Sequence, residues 1–381
     1  MTRVRIKPEL LQWACERAGL EVDALSGRFP RLTDWLNEKV LPTLKQLEDF
    51  AKATHTPFGF FFLSRPPDEK VPIPDFRTTH RGKVRRPSPD LLDTIYLCQQ
   101  RQEWYREYAL VTGEEPFPWL GSAKRTDDVV RVAAGMRHAL AFDLDERRQM
   151  PRWTDALRRF IEQAENLGVL VMVNGVVGSN NRRKLDPDEF RGFALCDPLA
   201  PLVFVNGADT KAAQMFTLAH ELAHLWLGES ALTDVELRPA PTHAMEEWCN
   251  RVAAELLVPL DVLRGDYNPR APLRDELDRL ARRFKVSTLV ILRRIYDARG
   301  VTRERFWREY DAEVQRLTTI PRAGGGDFYL TTAVRVSKRF ARAVVISTWE
   351  GRSSFTDAFH LLGFKKMSTF HELGQNLGVA I

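Results

Sequence analysis

The stretch His220-Glu221-Leu222-Ala223-His224 combines two imidazoles and a carboxylate at a spacing that can bind and use a metal ion. Side chains four residues apart lie on the same face of a helix, so His220 and His224 can reach one ion. Glu221 projects near that face, where a carboxylate can take a proton from a metal-activated water. The pattern predicts a divalent-metal site with Glu221 as catalytic base, rather than histidines that pair with carboxylates on a solvated helix.

A catalytic metal site of this kind needs a third protein ligand and one open position. The helical pattern over residues 241–259 offers two carboxylates, Glu246 and Glu247. Asn250 lies one helical turn after Glu246, where an amide can hydrogen-bond a ligand and fix its orientation. Glu247 points about 100° away and has no such neighbour. We therefore expect Glu246 to be the third ligand.

Some features of the predicted site stay open. His243 is a rival ligand that would give a site of three histidines. The set of two histidines and a glutamate suits Zn²⁺, and Mn²⁺ or Fe²⁺ would also fit it. A tetrahedral oxyanion would need one more donor. Four side chains are candidates for that donor: His243, Tyr267, Arg270 and Tyr329.

The sequence around the motif predicts the elements that hold it. Apolar residues flank the motif at helical spacing, and Gly228 is a plausible end of the helix. Strands are predicted at residues 169–173, 190–196 and 202–206. Strands followed by a helix with this motif are typical of the N-terminal half of a zincin-like fold. We expect residues 190–196 to be the sheet edge that faces the cleft, where an extended peptide can pair.

Composition places the chain among ordinary globular proteins. With 381 residues, 44% hydrophobic and 28% charged, two or three domains are expected. No run of 18 apolar residues occurs and the N-terminus does not resemble a signal peptide, which predicts a cytoplasmic protein with no membrane contact. The scattered cysteines indicate reduced thiols. The net charge of +5 comes from local basic clusters that are more typical of solvated surface than of nucleic-acid contacts.

We predict an α+β, mostly helical chain, with a zincin-like core of the gluzincin type and a small mixed sheet flanked by helical segments. The predicted segments are a helix-turn-helix-like domain (1–64), an extended linker (65–90), a metallopeptidase domain (91–270), a second helix-turn-helix-like segment (271–322) and a C-terminal helical domain without an assigned role (323–381).

The N-terminal segment resembles the Xre class of repressors in residues 20–25, 35–36 and 42–53. Between Leu20 and Trp35, where the class carries its turn and recognition helix, the chain is about four residues short, roughly one helical turn. Pro30 also lies in that stretch. A helix that short reaches base edges in the major groove poorly, which slightly favours a protein contact over DNA binding.

Residues 277–300 resemble the second half of a helix-turn-helix, and here the length is intact. Basic side chains in this stretch could position the protein on a duplex by contacting phosphates. Packing on the peptidase as a structural lid is an equally open alternative. The arginines concerned are Arg282, Arg283, Arg293 and Arg294.

The stretch TLAHELAH, followed by a segment of the form E-x-x-x-N-x-x-A-A-x-L-L-x-P at residues 246–259, resembles the ImmA/IrrE metallopeptidases of bacteria and their mobile elements. The resemblance covers residues 160–300, and an Xre-like domain ahead of the peptidase is an arrangement that the family also has. The chain departs from the family beside Asn250, where Cys249 and Arg251-Val252 replace the favoured Ala and Phe. This difference alters packing more than chemistry.

The resemblance implies a zinc-type endopeptidase that cuts a regulatory protein, an Xre-type repressor or antitoxin. Such a cut would relieve repression in a stress, mobile-element or defence response. One alternative is a DNA-binding transcription regulator that uses the peptidase fold as scaffold or sensor. A further alternative is a component of a toxin–antitoxin or phage-defence pair that holds the regulator without cutting it.

Overall fold

The computed structural model describes residues 2–75, 86–233, 244–318 and 333–379. These residues divide into two compact units. The first unit contains the described residues up to Pro72 and residues 86–96, and the second contains residues 73–75 and the described residues from Leu97 onward. Within the described ranges, no helix is both long and apolar enough to cross a membrane.

The first unit is a small bundle of short helices with an aromatic core. Thr43 and Gln46 form a reciprocal capping box at the start of its best-capped helix. Phe50 and Trp35 are buried in the core and make an edge-to-face contact. The elements are α1 (Pro8–Arg17), α2 (Val22–Ser26), α3 (Leu32–Leu36), α4 (Leu44–Ala53), the 3-10 helix η1 (Phe58–Phe62) and the start of α5 (Pro89–Thr112).

The helices at the position of the predicted turn and recognition helix are short. Helices α2 and α3 have 5 residues each. At 1.5 Å per residue such a helix is only about 8 Å long, which gives it little reach into a major groove. DNA binding by this unit therefore stays a prediction with little structural support.

The second unit is built on a four-stranded sheet in the order β1-β5-β4-β6. Strand β1 is parallel to β5, and β4 is antiparallel to both β5 and β6. A separate hairpin joins β2 and β3. The strands are β1 (Leu170–Asn174), β2 (Val176–Val177), β3 (Asn180–Lys184), β4 (Gly192–Leu195), β5 (Leu202–Asn206) and β6 (Ala231–Thr233).

The structure corrects the prediction that residues 190–196 form the edge of the sheet. Strand β4 lies inside the sheet because β6 pairs with its outer side. The outer side of β6 in turn contacts residues 73–75, where the Leu232 amide donates to the Pro74 carbonyl at 2.9 Å. The expectation was wrong because β6, which follows the helix Lys211–Leu227, has only 3 residues and the sequence does not indicate it.

Helices cover both faces of this sheet, which explains why β1 and β5 are buried along their whole length. Val171 and Val203 face the core that α8 and α9 share, whereas Met172 contacts Cys98 and Arg101 of α5 on the other face. The helices are α6 (Val129–Ala139), α7 (Leu144–Gln149), α8 (Trp153–Asn166), α9 (Lys211–Leu227), α10 (Ala244–Leu257), α11 (Leu260–Asp266), α12 (Leu273–Phe284), α13 (Thr288–Asp297), α14 (Arg303–Thr318), α15 (Lys338–Trp349), α16 (Phe355–Leu362) and α17 (Met367–Asn376).

The C-terminal helices pack on the same unit as the sheet. The buried Glu165 carboxylate at the end of α8 accepts hydrogen bonds from the Ser337 hydroxyl at 2.5 Å and the Lys338 amide at 2.7 Å, so it caps α15. Arg101 donates to the carbonyl of Leu361 in α16 at 3.0 Å. The described residues before and after residues 271 and 323 all belong to the second unit. The domain boundaries predicted at these two positions therefore remain predictions.

The basic residues of α12 and α13 are engaged within the protein. Arg294 is buried, pairs with the Glu255 carboxylate and donates to the Val258 carbonyl at 2.9 Å. The other three also have partners within the unit: Arg282 with the Asp278 carbonyl of its own helix, Arg283 with Asp266 at the end of α11, and Arg293 with Asp297 of its own helix. This arrangement favours the structural-lid alternative for α12 and α13.

The Arg294–Glu255 pair gives a stability prediction. Replacing Arg294 by Met removes the ion-pair partner of the buried Glu255 carboxylate and leaves only the nearby charge of Arg137, which we expect to lower the free energy of unfolding by about 3 kcal/mol. The double variant Arg294→Met/Glu255→Leu removes both charges and should recover most of that loss. Urea unfolding followed by circular dichroism measures both. Equal destabilisation in the single and double variants would contradict a charge effect.

Candidate metal centre

Helix α9 carries the motif through the centre of the second unit. The Thr210 hydroxyl caps its start by accepting from the Ala213 amide at 3.2 Å. The helix ends at Gly228, as the sequence predicts, and this glycine has the left-handed φ of 76° typical of a helix C-terminus. Every residue from Gln214 to Trp226 is buried, so the ionisable side chains of the motif lie in the core.

Helix α10 packs directly on α9 and supplies the third side chain. Its small residues Ala253 and Ala254 belong to the same core as Ala219 and Ala223 of α9, so little side-chain volume separates the two helices. On α10, Glu246 is buried at the interface while Glu247 is exposed. The helical spacing thus turns one of the two adjacent carboxylates toward the motif.

The three predicted ligands meet at one point. Nε2 of His220 lies 3.1 Å from Nε2 of His224, and each lies 3.1 Å from an oxygen of Glu246. Tetrahedral ligands about 2.0–2.1 Å from a zinc ion are about 3.4 Å apart. The donor atoms therefore converge at nearly the separation that one bound divalent cation requires.

The chemistry of the buried groups also fits a cation. Both imidazoles are fully buried and Glu246 is 7% exposed. Among the described residues, the Glu246 carboxylate is paired with the two imidazoles and with no lysine or arginine. Buried carboxylates need a compensating positive charge. A divalent ion between His220, His224 and Glu246 would provide it.

The electrostatics couple the three ligands. Burial lowers the pKa of His220, but the Glu246 carboxylate more than offsets this and the net pKa is raised. Burial and the neighbouring charge of His220 leave the pKa of His224 lowered. Burial acts to raise the pKa of Glu246, yet the two imidazoles hold it well below its ordinary value. A metal ion would compete with protons for these three side chains.

Asn250 lies beside the ligands, as the spacing on α10 suggests. Its side chain is close enough to His220 to raise the pKa of that imidazole. Its Oδ1 atom does not complete a hydrogen bond of good geometry with a described residue. The structure thus places Asn250 next to a histidine ligand, where it can orient the ring.

Glu221 occupies a separate position beside the ligand cluster. It is fully buried, and burial raises its pKa to about 8. Its Oε1 atom accepts a hydrogen bond from the hydroxyl of Thr233 on β6, whereas Oε2 has no hydrogen-bond partner among the described residues. One oxygen is held by the protein and the other is available for a reacting molecule.

Gly192 of β4 makes room for Glu221. A Cβ atom on Gly192 would lie 3.1 Å from Oε1 of Glu221, 2.6 Å from the methyl group of Thr217 and 2.8 Å from the Phe204 carbonyl. The carboxylate therefore packs against bare backbone. Sequence reasoning identified neither Gly192 nor Thr233 as a site residue, and the one available signal was a glycine inside the predicted strand.

The other candidates do not join the cluster. Among the described residues, one group of three or more His, Cys, Asp or Glu side chains could hold a metal ion, and it is His220, His224 and Glu246. Tyr267 packs beside Gly300, and Arg270 is exposed. His243 and Tyr329 lie outside the described residues, so the oxyanion donor stays open.

A comparison with known families identifies the segment of the chain that contains this site. Residues 164–296 match the family model of the IrrE N-terminal-like domain, Peptidase_M78. This M78 segment runs from the end of α8 into α13 and contains His220, Glu221, His224, Glu246 and Asn250, together with Gly192 and Thr233. The resemblance to ImmA/IrrE metallopeptidases is confirmed for this segment, and together with the donor cluster it indicates a metallopeptidase-type function with a metal ion.

The match covers the central part of the chain. Residues 336–376, from the end of the undescribed stretch through α17, match a domain of unknown function, DUF8813. Neither matched segment includes the helices of the first unit. A comparison with curated proteins gives no match.

The donor cluster predicts which carboxylate of α10 matters for metal binding. We expect Glu246→Gln to weaken binding of a Zn²⁺ probe at least about 10-fold, because a neutral amide is a poor ligand and leaves the histidines uncompensated. The exposed neighbour gives a matched control, and Glu247→Gln should bind as the unaltered chain does. Competition with a chelating dye measures both. Equal losses in the two variants would contradict the assignment.

The close approach of Gly192 to Glu221 predicts a local steric cost. Gly192→Ala should lower the free energy of unfolding by about 1–3 kcal/mol, because its Cβ would overlap Thr217 and the β5 backbone. Gly135→Ala in α6 is the control, since no atom lies within 4 Å of its added Cβ. We expect that change to be neutral or to stabilise the helix by about 0.5–1 kcal/mol. Calorimetry on both variants checks the difference, and a stable Gly192→Ala would be evidence against tight packing.

Proposed function

We propose that the protein is a zinc-dependent endopeptidase that cuts a regulatory protein. The observation that carries the proposal is the convergence of His220, His224 and Glu246 beside a second buried carboxylate, Glu221, within a segment that matches a peptidase family. Three protein ligands leave one coordination position open, which is the arrangement of catalytic rather than structural zinc sites.

The donor set supports zinc as the metal. Two imidazoles and one carboxylate are borderline ligands that suit zinc, although manganese or iron can occupy such a set according to cellular supply. Bound there, zinc would polarise a substrate carbonyl and bring the pKa of water down toward about 7.

The residues around the metal have distinct tasks in this proposal. Glu221, with Oε1 held by Thr233, presents Oε2 to accept a proton from the attacking water and to return it to the leaving amine. Burial raises the pKa of Glu221 to about 8, and a cation bound at the neighbouring ligands would lower it again, so that the carboxylate can take and release a proton near neutral pH. Because the surroundings are buried, water other than the reactant is excluded.

The proposed substrate is an Xre-type repressor or an antitoxin, and its cleavage would relieve repression in a stress, mobile-element or defence response. The support is the resemblance of the motifs to the ImmA/IrrE peptidases and of residues 1–64 to Xre-class proteins. We further propose that the protein acts in the cytoplasm, because its cysteines are all free thiols.

A DNA-binding transcription regulator is the second candidate, favoured by the pI of about 9.0 and the helix-turn-helix-like segments. The internal partners of the α12 and α13 arginines count against that segment as the DNA contact. Sequence-specific DNA binding with a steep salt dependence that is unaffected by Glu221→Gln would favour this candidate.

The proposal predicts one discrete cut in the cognate regulator. The purified, zinc-loaded chain is mixed with Xre-type repressors and antitoxins as candidate substrates, and products are identified by mass spectrometry. Glu221→Gln should lower the cleavage rate about 10²–10⁴-fold, because the base is lost while the ligands remain. A chelator should abolish cleavage, and Glu247→Gln should leave it unchanged. Undiminished cleavage by Glu221→Gln would remove Glu221 as the base.

A further inference from the structure

We infer that Thr233 is a positioning residue for the catalytic base: its hydroxyl fixes Oε1 of Glu221, so that Oε2 is the oxygen that exchanges the proton. The inference rests on the proposed peptidase function, which it deepens by assigning separate tasks to the two carboxylate oxygens. Thr233 lies outside the motif His220–His224.

The contact itself is specific. Thr233 is fully buried, and its hydroxyl donates to Oε1 of Glu221. The other oxygen, Oε2, is also buried and has no hydrogen-bond partner among the described residues. A buried carboxylate oxygen without a partner is costly, which marks it as the atom reserved for a reacting group.

The backbone of β6 fixes the position of Thr233. Thr233 is in register with Gly192, and its carbonyl accepts from the Arg191 amide at 3.1 Å. On the outer side of the strand, the Leu232 amide donates to the Pro74 carbonyl at 2.9 Å. The strand is therefore held from both sides, and a group on a held strand positions its partner better than one on a loop.

Gly192 completes the restraint on the carboxylate. The space that a side chain would fill there is taken by Oε1 of Glu221 and the Thr217 methyl group. Glu221 thus has bare backbone on one side and a hydroxyl donor on β6. These two contacts define where Oε1 lies, and the covalent geometry of the carboxylate then sets Oε2.

A second threonine–glutamate contact in the same unit offers a matched control. The Thr288 hydroxyl at the start of α13 donates to Glu313 of α14. Glu313 is also paired with Arg274 and Arg316, so it keeps its charge partners when the hydroxyl is removed. Among the described residues no lysine or arginine forms an ion pair with Glu221, and the positive charge that acts on it is that of its neighbour His220. Removing the Thr233 hydroxyl should therefore change the conformation of Glu221, whereas removing the Thr288 hydroxyl should leave the conformation of Glu313 unchanged.

The experiment compares variants that differ only in the hydroxyl. Thr233→Val keeps the shape of threonine without its hydroxyl, and Thr233→Ser keeps the hydroxyl. The pair Thr233→Ser and Thr233→Ala serves if valine prevents folding. Each zinc-loaded full chain is crystallised, its zinc affinity is measured, and kcat and KM are measured with the cognate regulator. Thr288→Val is carried through the same measurements.

We expect the Glu221 side chain to adopt a different conformation in Thr233→Val and Thr233→Ala. In Thr233→Ser it should keep the conformation of the unaltered chain. The kcat should fall about 10- to 100-fold without the hydroxyl, as for other partners that orient active-site groups, and serine should restore most of it. KM and zinc affinity should stay nearly unchanged, because the Thr233 hydroxyl donates to Glu221 and not to one of the three proposed zinc ligands. Thr288→Val should retain the kcat of the unaltered chain.

An unchanged Glu221 conformation in the variants that lack the hydroxyl would overturn the inference. A fall in kcat that Thr288→Val shares, or that serine does not reverse, would overturn it as well. If the unaltered chain cuts no regulator, the proposed function fails, and the crystal structures still decide whether Thr233 sets the conformation of Glu221.

Discussion

The structure depends on the burial of four ionisable side chains at the contact between α9 and α10. His220, His224, Glu221 and Glu246 all lie in the core, where an uncompensated charge costs several kcal/mol. Packing of α10 on α9 forces three of them to within 3.1 Å of one another. A divalent cation would satisfy this cluster, so the packing of the two helices favours a bound metal ion.

The pKa values of the two buried carboxyl groups are shifted in opposite directions because their surroundings differ. Glu246 lies between two imidazoles, which hold its pKa low and keep it ionised as a ligand. Glu221 lies against the bare backbone of Gly192 and the hydroxyl of Thr233, and burial raises its pKa to about 8. Neighbouring groups with separated pKa values are how proteins assign different acid–base tasks to the same side-chain type. This difference supports the proposed roles of Glu246 as a metal ligand and of Glu221 as the base.

Sequence alone was sufficient for the parts of the site that follow helical periodicity. The spacing of the histidines and the choice of Glu246 over Glu247 depend on one element each, and the structure brings these residues together. Thr233 and Gly192 could not be found this way, because their contacts with Glu221 join separate strands to a helix. The edge of the sheet was misassigned since β6, with 3 residues, is too short to give an alternating pattern. The resemblance of residues 277–300 to a helix-turn-helix predicted the two helices α12 and α13, but it could not show that Arg294 is buried.

The central claim is that the α9–α10 contact forms a metal site of two imidazoles and one carboxylate. X-ray absorption spectroscopy of the zinc-loaded full chain tests it most directly, because nitrogen, oxygen and sulfur ligands scatter differently. We predict four nitrogen or oxygen neighbours of the zinc ion at about 2.0–2.1 Å, with the multiple scattering of two imidazoles. In His224→Ala the scattering of one imidazole should remain. A sulfur neighbour at about 2.3 Å, from a thiolate such as that of the buried Cys249, would contradict the account.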